Sequence, residues 1–197
     1  MSVAATSLGK FALRTFLWMP PCFSAWYFSA QYHAAVAGGL ARILVDQFHP
    51  GIVSSLEQSG LDLVFVTTLE VHPGPGLSAV LTPEVNPLLY TYGLAFFLAL
   101  MLAARAKWRQ ILVGALVLLP FQSWGIAFDF LAQVGVKLGP EVSAQAGLLG
   151  WREAIALGYQ IGDLIFPSLM PVVLWAVLNR PFIEGALHPP VAGVGDA

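Results

Sequence analysis

The residues best suited to chemistry in this sequence are acids and amides that lie inside long apolar stretches. Ionisable groups are costly in such surroundings and usually face the interior of a helix bundle. At 100° per residue, these residues fall on one stripe of each of two successive helices. We call them the predicted polar seam, and its members are Gln122, Asp129, Gln133, Arg152, Glu153, Gln160 and Asp163.

Position along the apolar runs suggests how the two stripes meet. Asp129, near the end of one run, and Arg152, at the start of the next, both fall near the outer membrane surface, so we expect an ion pair between them. Asp163 has no basic residue at its own depth, and we expect it to be neutral or held by donors such as Gln122 or Gln160. A structural contact between helices is the simpler interpretation of the seam, and a transport or catalytic path is the alternative.

No nucleophile or metal site is predicted. Cys22 is the only thiol, and its apolar surroundings disfavour the reactive thiolate. Cys22 lies near the cytoplasmic side, whereas the histidines, which could act as bases, are expected on the outer side of the membrane or in the tail: His33, His49, His72 and His188. His49 and His72 lie among acids but lack the spacing of metal ligands. We therefore predict no catalytic residue, no metal and no cofactor.

Two glycines four residues apart, Gly158 and Gly162, form a GxxxG motif in the last apolar run. Small residues at this spacing allow another helix to approach closely. The partner helix is either in the same chain or in a second copy, so a homo-oligomer is possible on this evidence.

Composition identifies the class of protein. Of 197 residues, 57% are hydrophobic and only 10% are charged, and the mean hydropathy is +0.75. Soluble domains carry about 25% charged residues, and disordered chains combine high charge with low hydrophobicity. The net charge of −2 provides no basic field for nucleic acid. We conclude that this is an integral membrane protein whose first partner is the lipid bilayer.

Four apolar runs are long enough to cross a bilayer, which takes about 20 residues. The predicted transmembrane helices are 15–33, 85–104, 111–130 and 151–179. With the N-terminus inside, six of the nine Lys and Arg residues are cytoplasmic, as the positive-inside rule requires. The cytoplasmic segments are then the N-terminus 1–14, the basic loop 105–110 and the tail 180–197. Both termini are predicted to be cytoplasmic.

The remaining segments lie outside on this topology. Residues 34–49 show an apolar face at helical spacing and are predicted to form an interfacial amphipathic helix, separate from the first span. The face comprises Ala35, Gly38, Gly39, Leu40, Ile43, Leu44 and Phe48. Residues 131–150 are predicted to be an extracytoplasmic loop.

Residues 50–84 are predicted to be a β-rich extracytoplasmic insertion. LDLVFVTTLEV and LSAVLTPEV flank the turn sequence HPGPG, which indicates a β-hairpin, with 52–56 as a third strand. The predicted fold is an all-α integral membrane protein with four transmembrane helices and a small extracytoplasmic β-hairpin insertion between helices 1 and 2.

Several phrases between residues 11 and 183 resemble the exosortase H-associated membrane proteins. They are LWMPPCFSAWYF, EVNPLLYTYGL, LLPFQSWGIAFDFL and REAIALGYQIGDLIFPSLMPVVLWAVLNRPF. Members of this family are small bacterial inner-membrane proteins named for a neighbouring exosortase gene. Exosortases are integral-membrane, cysteine transpeptidase-like enzymes that process proteins carrying a C-terminal sorting signal. The resemblance implies an accessory role and supplies no catalytic residues.

The prediction is therefore a non-enzymatic accessory protein of the bacterial inner membrane that supports an exosortase-type protein-sorting system. Its partner would be a membrane-embedded exosortase or the substrates of that enzyme. The alternatives are an intramembrane enzyme or a small transporter that uses the predicted polar seam. A transporter usually shows more spans or an internal repeat, and an enzyme needs a nucleophile with a base in reach.

Overall fold

The apolar runs of the sequence form a bundle of helices arranged around one central helix. The computed structural model describes residues 3–74, 76–180 and 183–184. Its α-helices are α1 (Val3–Phe48), α2 (Leu88–Thr91), α3 (Gly93–Ala103), α4 (Trp108–Ala132), α5 (Pro140–Gln145), α6 (Arg152–Gln160) and α7 (Phe166–Leu178). Two π-helical segments continue these helices: Gln133–Lys137 extends α4, and Ile161–Ile165 joins α6 to α7. The 3-10 helix Leu149–Trp151 precedes α6. Because α4 contacts α1, α3, α6 and α7, it occupies the centre of the bundle.

Two continuous helical stretches are long and apolar enough to cross a membrane. Within the described residues these are Trp108–Lys137 and Leu149–Leu178, each 30 residues long. A third apolar helix, Leu88–Ala103, is shorter. It is enclosed by α1, α4 and α7, and its side chains Phe97 and Met101 are fully buried. The predicted tail 180–197 lies outside the described residues except for residues 180, 183 and 184.

The first transmembrane helix and the interfacial helix were predicted as separate elements, and the structure joins them. α1 is a single helix of 46 residues, about 69 Å long at 1.5 Å per residue. A bilayer core of about 30 Å accounts for less than half of that length. The prediction of a break after residue 33 is therefore wrong. Gly38 and Gly39 are weak helix formers, but packing of the insertion against this part of α1 keeps it helical.

The face of α1 that packs inside the protein is distinct from the apolar face predicted to lie on the membrane surface. Its buried residues are small and recur at helical spacing: Ala30, Ala34, Ala37, Gly38, Ala41 and Val45. Leu40, Ile43 and Phe48 of the predicted apolar face are more than one-third exposed. Small side chains let the neighbouring elements approach the α1 backbone closely, and for this reason they occupy the interface in place of the large ones.

The predicted β-hairpin and third strand are confirmed. The strands are β1 (Val53–Ser59), β2 (Asp62–Thr67), β3 (Glu70–Gly74), β4 (Leu77–Val80) and β5 (Glu84–Val85). β2 lies between β1 and β5, and both pairings are antiparallel, with Leu56 opposite Phe65 and Leu63 opposite Val85. Backbone hydrogen bonds such as Thr67 N–H to Leu81 O continue this ladder into β3 and β4. The insertion is thus a three-stranded sheet that narrows into a two-stranded hairpin.

The sheet packs directly on the helix bundle. Alternate residues of β2 are buried, and Leu63 and Phe65 belong to the same hydrophobic core as α1 and α4. The Phe65 ring stacks on that of Phe130 with 4.6 Å between centroids. A methyl group added at Gly38 would lie 2.6 Å from Leu63 Cδ1, so the sheet contacts the α1 backbone without an intervening side chain. The insertion and this end of the bundle therefore share one core.

The segment predicted as the loop 131–150 is largely helical. α4 continues through Ala132 and into the first π-helical segment, and α5 follows. Leu131, Val134 and Leu148 from this segment are buried in the core shared with the sheet. The prediction of a loop is wrong because these apolar residues pack against the insertion, which extends the helix beyond the predicted end of the span.

Two adjacent glycines provide a matched test of the contact between sheet and helix. We expect Gly38→Val to destabilise the protein by about 1–3 kcal/mol, because the added atoms overlap Leu63 in a packed core. Gly39→Val should be close to neutral, since no atom lies within 4 Å of the corresponding position. Thermal unfolding in mild detergent measures both. Equal effects of the two substitutions would contradict the packing described here.

Candidate functional site

Among the described residues, Asp129 is the charged residue that is buried, at 8% exposed, and it pairs with Lys137. The Lys137 Nζ lies 3.3 Å from Asp129 Oδ1, and the two side chains are 49% and 11% exposed. The predicted pairing of Asp129 with Arg152 is wrong. Arg152 instead directs Nη2 toward the carbonyl oxygen of Val136, at 3.5 Å. The cause is the π-helical segment Gln133–Lys137, because its wider turn brings Lys137 back to the face of α4 that carries Asp129.

Tyrosines from two other helices complete a group around this ion pair. Lys137 Nζ lies 4.6 Å from the centroid of the Tyr159 ring on α6. The Tyr90 hydroxyl on α2 faces Asp129 and is within electrostatic range of Tyr159 and Asp163. We call these five residues the Asp129 cluster. It brings Asp129 and Asp163 of the predicted polar seam together around a tyrosine that the sequence analysis did not single out.

Gln122 has a different partner from the one expected. Its Oε1 lies 2.7 Å from Nε2 of His33 on α1, and Gln122 is only 4% exposed. The sequence analysis placed His33 at the outer end of the first span, without a partner, and suggested Gln122 as a donor to Asp163. The structure instead joins α1 and α4 through this pair. A second polar contact joins α1 to α2, where Trp26 Nε1 donates to Thr91 Oγ1 at 3.3 Å.

The remaining members of the predicted polar seam do not meet across the two helices. Gln133 Nε2 donates to the backbone oxygen of Glu84 at 2.8 Å and so ties α4 to the insertion. Glu153 and Gln160 are exposed on α6. The seam is therefore divided into the Asp129 cluster, the Gln122–His33 pair, the contact of Gln133 with β5, and exposed residues of α6.

The GxxxG glycines of the last apolar run face α4 of the same chain. A side chain at Gly158 would overlap the Phe128 ring, and one at Gly162 would lie 2.9 Å from the Cα of Gly125. Trp124 Nε1 also donates to the Gly158 carbonyl oxygen at 3.1 Å. Of the two alternatives left open by the sequence, the structure shows the intramolecular contact. Both glycines are buried in this contact.

Cys22 lies on α1 and His49 directly follows it, so neither is on an element that contributes to the Asp129 cluster. Cys22 is 5% exposed within α1. His49, just beyond the end of α1, lines an apolar groove. The described residues contain no group of three or more His, Cys, Asp or Glu side chains able to hold a metal ion. The side chain of His72, and all of His188, lie outside the part of the chain that the structure describes.

The apolar groove beside His49 has a volume of about 260 Å³ and lies between the end of α1, α4 and α6. Aromatic rings form much of its wall, and Trp124 stacks on Phe128 with centroids 4.4 Å apart. Its lining is Phe48, His49, Trp124, Phe128, Leu131, Leu148, Trp151, Ala154, Ile155, Leu157, Gly158 and Ile161. Such a surface offers van der Waals contact to an apolar group, with one titratable side chain at its edge.

The sequence analysis missed His33, Tyr90, Lys137 and Tyr159 as partners of the polar residues. Helical periodicity assumes a uniform turn, and the π-helical segments change the angular relation between residues on either side of them. His33 carried a usable signal, because a histidine flanked by apolar helix on both sides is costly unless it has a partner.

A double-mutant cycle distinguishes the two proposed partners of Asp129. We expect Lys137→Met and Asp129→Asn to show a coupling energy of about 0.5–3 kcal/mol, because the two side chains form one partly buried ion pair. The matched cycle of Arg152→Gln with Asp129→Asn should be additive. Unfolding in mild detergent gives both values. Coupling to Arg152 instead of Lys137 would overturn the assigned pairing.

Comparisons with known proteins place the chain in a family. The family model described as exosortase H-associated membrane protein matches residues 5–182. No curated protein matches the chain significantly. No solved structure matches it significantly either. The family match covers most of the sequence and agrees with the two long apolar helices. The chain is a member of the exosortase H-associated membrane protein family.

Proposed function

We propose that this protein is a non-enzymatic accessory protein of the bacterial inner membrane that binds a membrane-embedded exosortase. The observation that carries the proposal is the match of residues 5–182 to a family described by its association with exosortase H. A platform for such an enzyme needs a fixed surface outside the lipid, and the β insertion supplies one because it shares a core with the bundle.

Four membrane spans with both termini in the cytoplasm are part of this proposal. Besides the two long apolar helices, α1 presents large apolar side chains to its surroundings, including Phe16, Leu17 and Phe28, which are 73%, 67% and 81% exposed. Side chains of this kind suit a lipid environment. Arg105 and Lys107 lie in the turn between α3 and α4, and Arg109 lies in the first turn of α4, a cluster that favours the cytoplasmic side.

An accessory role also fits the way in which the polar residues are used. Asp129 is paired with Lys137, and Gln122 is bonded to His33. The Gln122–His33 bond joins α1 to α4, as interhelical hydrogen bonds do in membrane proteins, and the Asp129–Lys137 pair lies along one continuous helix, Trp108–Lys137. We propose that the predicted polar seam and its neighbours stabilise the bundle, and that the partner-binding surface lies elsewhere.

The end of the hairpin is the surface that we propose for the exosortase. All four residues of β4 are exposed, and Leu77 and Val80 are 62% and 53% exposed. Apolar side chains on an exposed strand are unusual in a surface that faces only water, because edge strands are normally protected by charges. Such side chains provide the apolar centre of a protein interface.

Co-purification with an epitope-tagged exosortase tests the proposed function. We expect the wild-type protein to be recovered with the exosortase in mild detergent. Leu77→Asp should reduce the recovery about tenfold or more, because it places a charge in the apolar centre of the interface. Leu138→Asp is the matched control, since Leu138 is 46% exposed and lies at the end of α4 rather than on the hairpin.

Two results would contradict the proposal. One is that the wild-type protein fails to co-purify with the exosortase when both are present at normal levels. The other is that Leu138→Asp reduces recovery as much as Leu77→Asp, because the hairpin would then have no special part in binding.

A further inference from the structure

A hollow of about 480 Å³ lies at the start of α6, and we call it the α6 hollow. It is lined by Val136, Leu149, Gly150, Arg152, Glu153 and Ala156. The apolar stretch Leu149–Leu178 begins at its rim, so in a membrane the hollow lies where hydrocarbon gives way to lipid headgroups. Trp151, which is 57% exposed, stands beside it, as tryptophans do at membrane interfaces.

Arg152 has unused hydrogen-bonding capacity in the α6 hollow. Its Nε is buried without a partner among the described residues, and a group in the hollow cannot reach that atom, so the donors that remain for a ligand are those of Nη1 and Nη2. Its one hydrogen bond there, from Nη2 to the Val136 carbonyl oxygen, is long at 3.5 Å. A guanidinium has five N–H donors, and a partly buried cation without a counter-ion is costly. Arg152 is therefore suited to hold an oxyanion, and phosphate oxygens match the planar geometry of its donors.

Glu153 adds the opposite charge to the same hollow. It is exposed, and in the part of the chain that the structure describes neither Arg152 nor Glu153 forms an ion pair, with the other or with any other residue. The hollow thus presents one cation and one anion that do not neutralise each other. A ligand complementary to both would carry a phosphate and an ammonium group linked by a short chain.

We propose that the α6 hollow binds the headgroup of phosphatidylethanolamine, with its phosphate on Arg152 and its ammonium on Glu153. Phosphatidylglycerol supplies the phosphate but no cation for Glu153. Phosphatidylcholine supplies a cation without N–H donors, and it cannot hydrogen-bond to a carboxylate. The chemistry of the two side chains therefore predicts a preference among lipids that share the same phosphate.

The test uses the full chain in phosphatidylcholine nanodiscs that contain a minor share of phosphatidylethanolamine or phosphatidylglycerol. We expect phosphatidylethanolamine to be retained preferentially in native mass spectrometry and to raise the thermal midpoint. Arg152→Gln should weaken its binding about ten- to a hundredfold, because a hydrogen bond to a charged group is lost. Glu153→Gln should abolish the preference for phosphatidylethanolamine over phosphatidylcholine.

Matched controls and a second variant keep the test decisive. Arg180→Gln and Glu141→Gln change exposed charges that do not line the hollow and should leave the lipid preference intact. If Arg152→Gln fails to fold, Glu153→Gln still tests the lipid preference, because Glu153 is exposed and its substitution does not disturb the core. Equal retention of phosphatidylethanolamine and phosphatidylglycerol by the wild-type protein, or an unchanged preference in Glu153→Gln, would overturn the proposal. Binding of free phosphoethanolamine with no lipid preference would overturn the assignment to a membrane lipid.

Discussion

The structure depends on one constraint, which is that the inserted sheet has no hydrophobic core of its own. The apolar face of a single sheet must be covered by another layer, and here the helices of the bundle provide that layer. Leu63, Phe65 and Val85 therefore pack on α1 and α4, in a core that includes the Phe130 ring. Because the same residues belong to the sheet and to the bundle core, the insertion has a fixed position relative to the helices.

This constraint explains where the small residues lie. On α1 the face toward the sheet is made of alanines and Gly38, and a larger side chain at Gly38 would displace Leu63. On the other side of α4, Gly125 and Gly162 allow the last helix to approach at the same close range. α4 therefore packs against α1 and against the last helix. Asp129 and Gln122, which form the polar contacts of α4, are buried in the same packed region. Such a frame supports the proposed role of a platform that presents the hairpin to another membrane protein.

Sequence reasoning succeeded where the pattern is local and regular. The alternating β2 sequence and the HPGPG turn predicted the hairpin, and hydropathy identified the two long apolar helices. Sequence reasoning failed where tertiary contacts determine the length of a helix or the partner of a side chain. Nothing local shows that α1 continues past residue 33, because the sheet that supports it comes later in the chain. The pairing of Asp129 with Lys137 could not be predicted either. It depends on the π-helical segment Gln133–Lys137, and neither the residue types nor their spacing in the sequence indicates such a segment.

Amide hydrogen exchange of the full chain in nanodiscs tests most directly whether the insertion and the bundle form one core. The account predicts that β2 amides are protected as strongly as those of α4 near Phe130, while β4 amides at the exposed hairpin end exchange faster. Phe130→Ala should speed exchange in β2 and α4 together. Rapid exchange in β2 with α4 still protected, or a response of α4 alone to Phe130→Ala, would contradict the shared core.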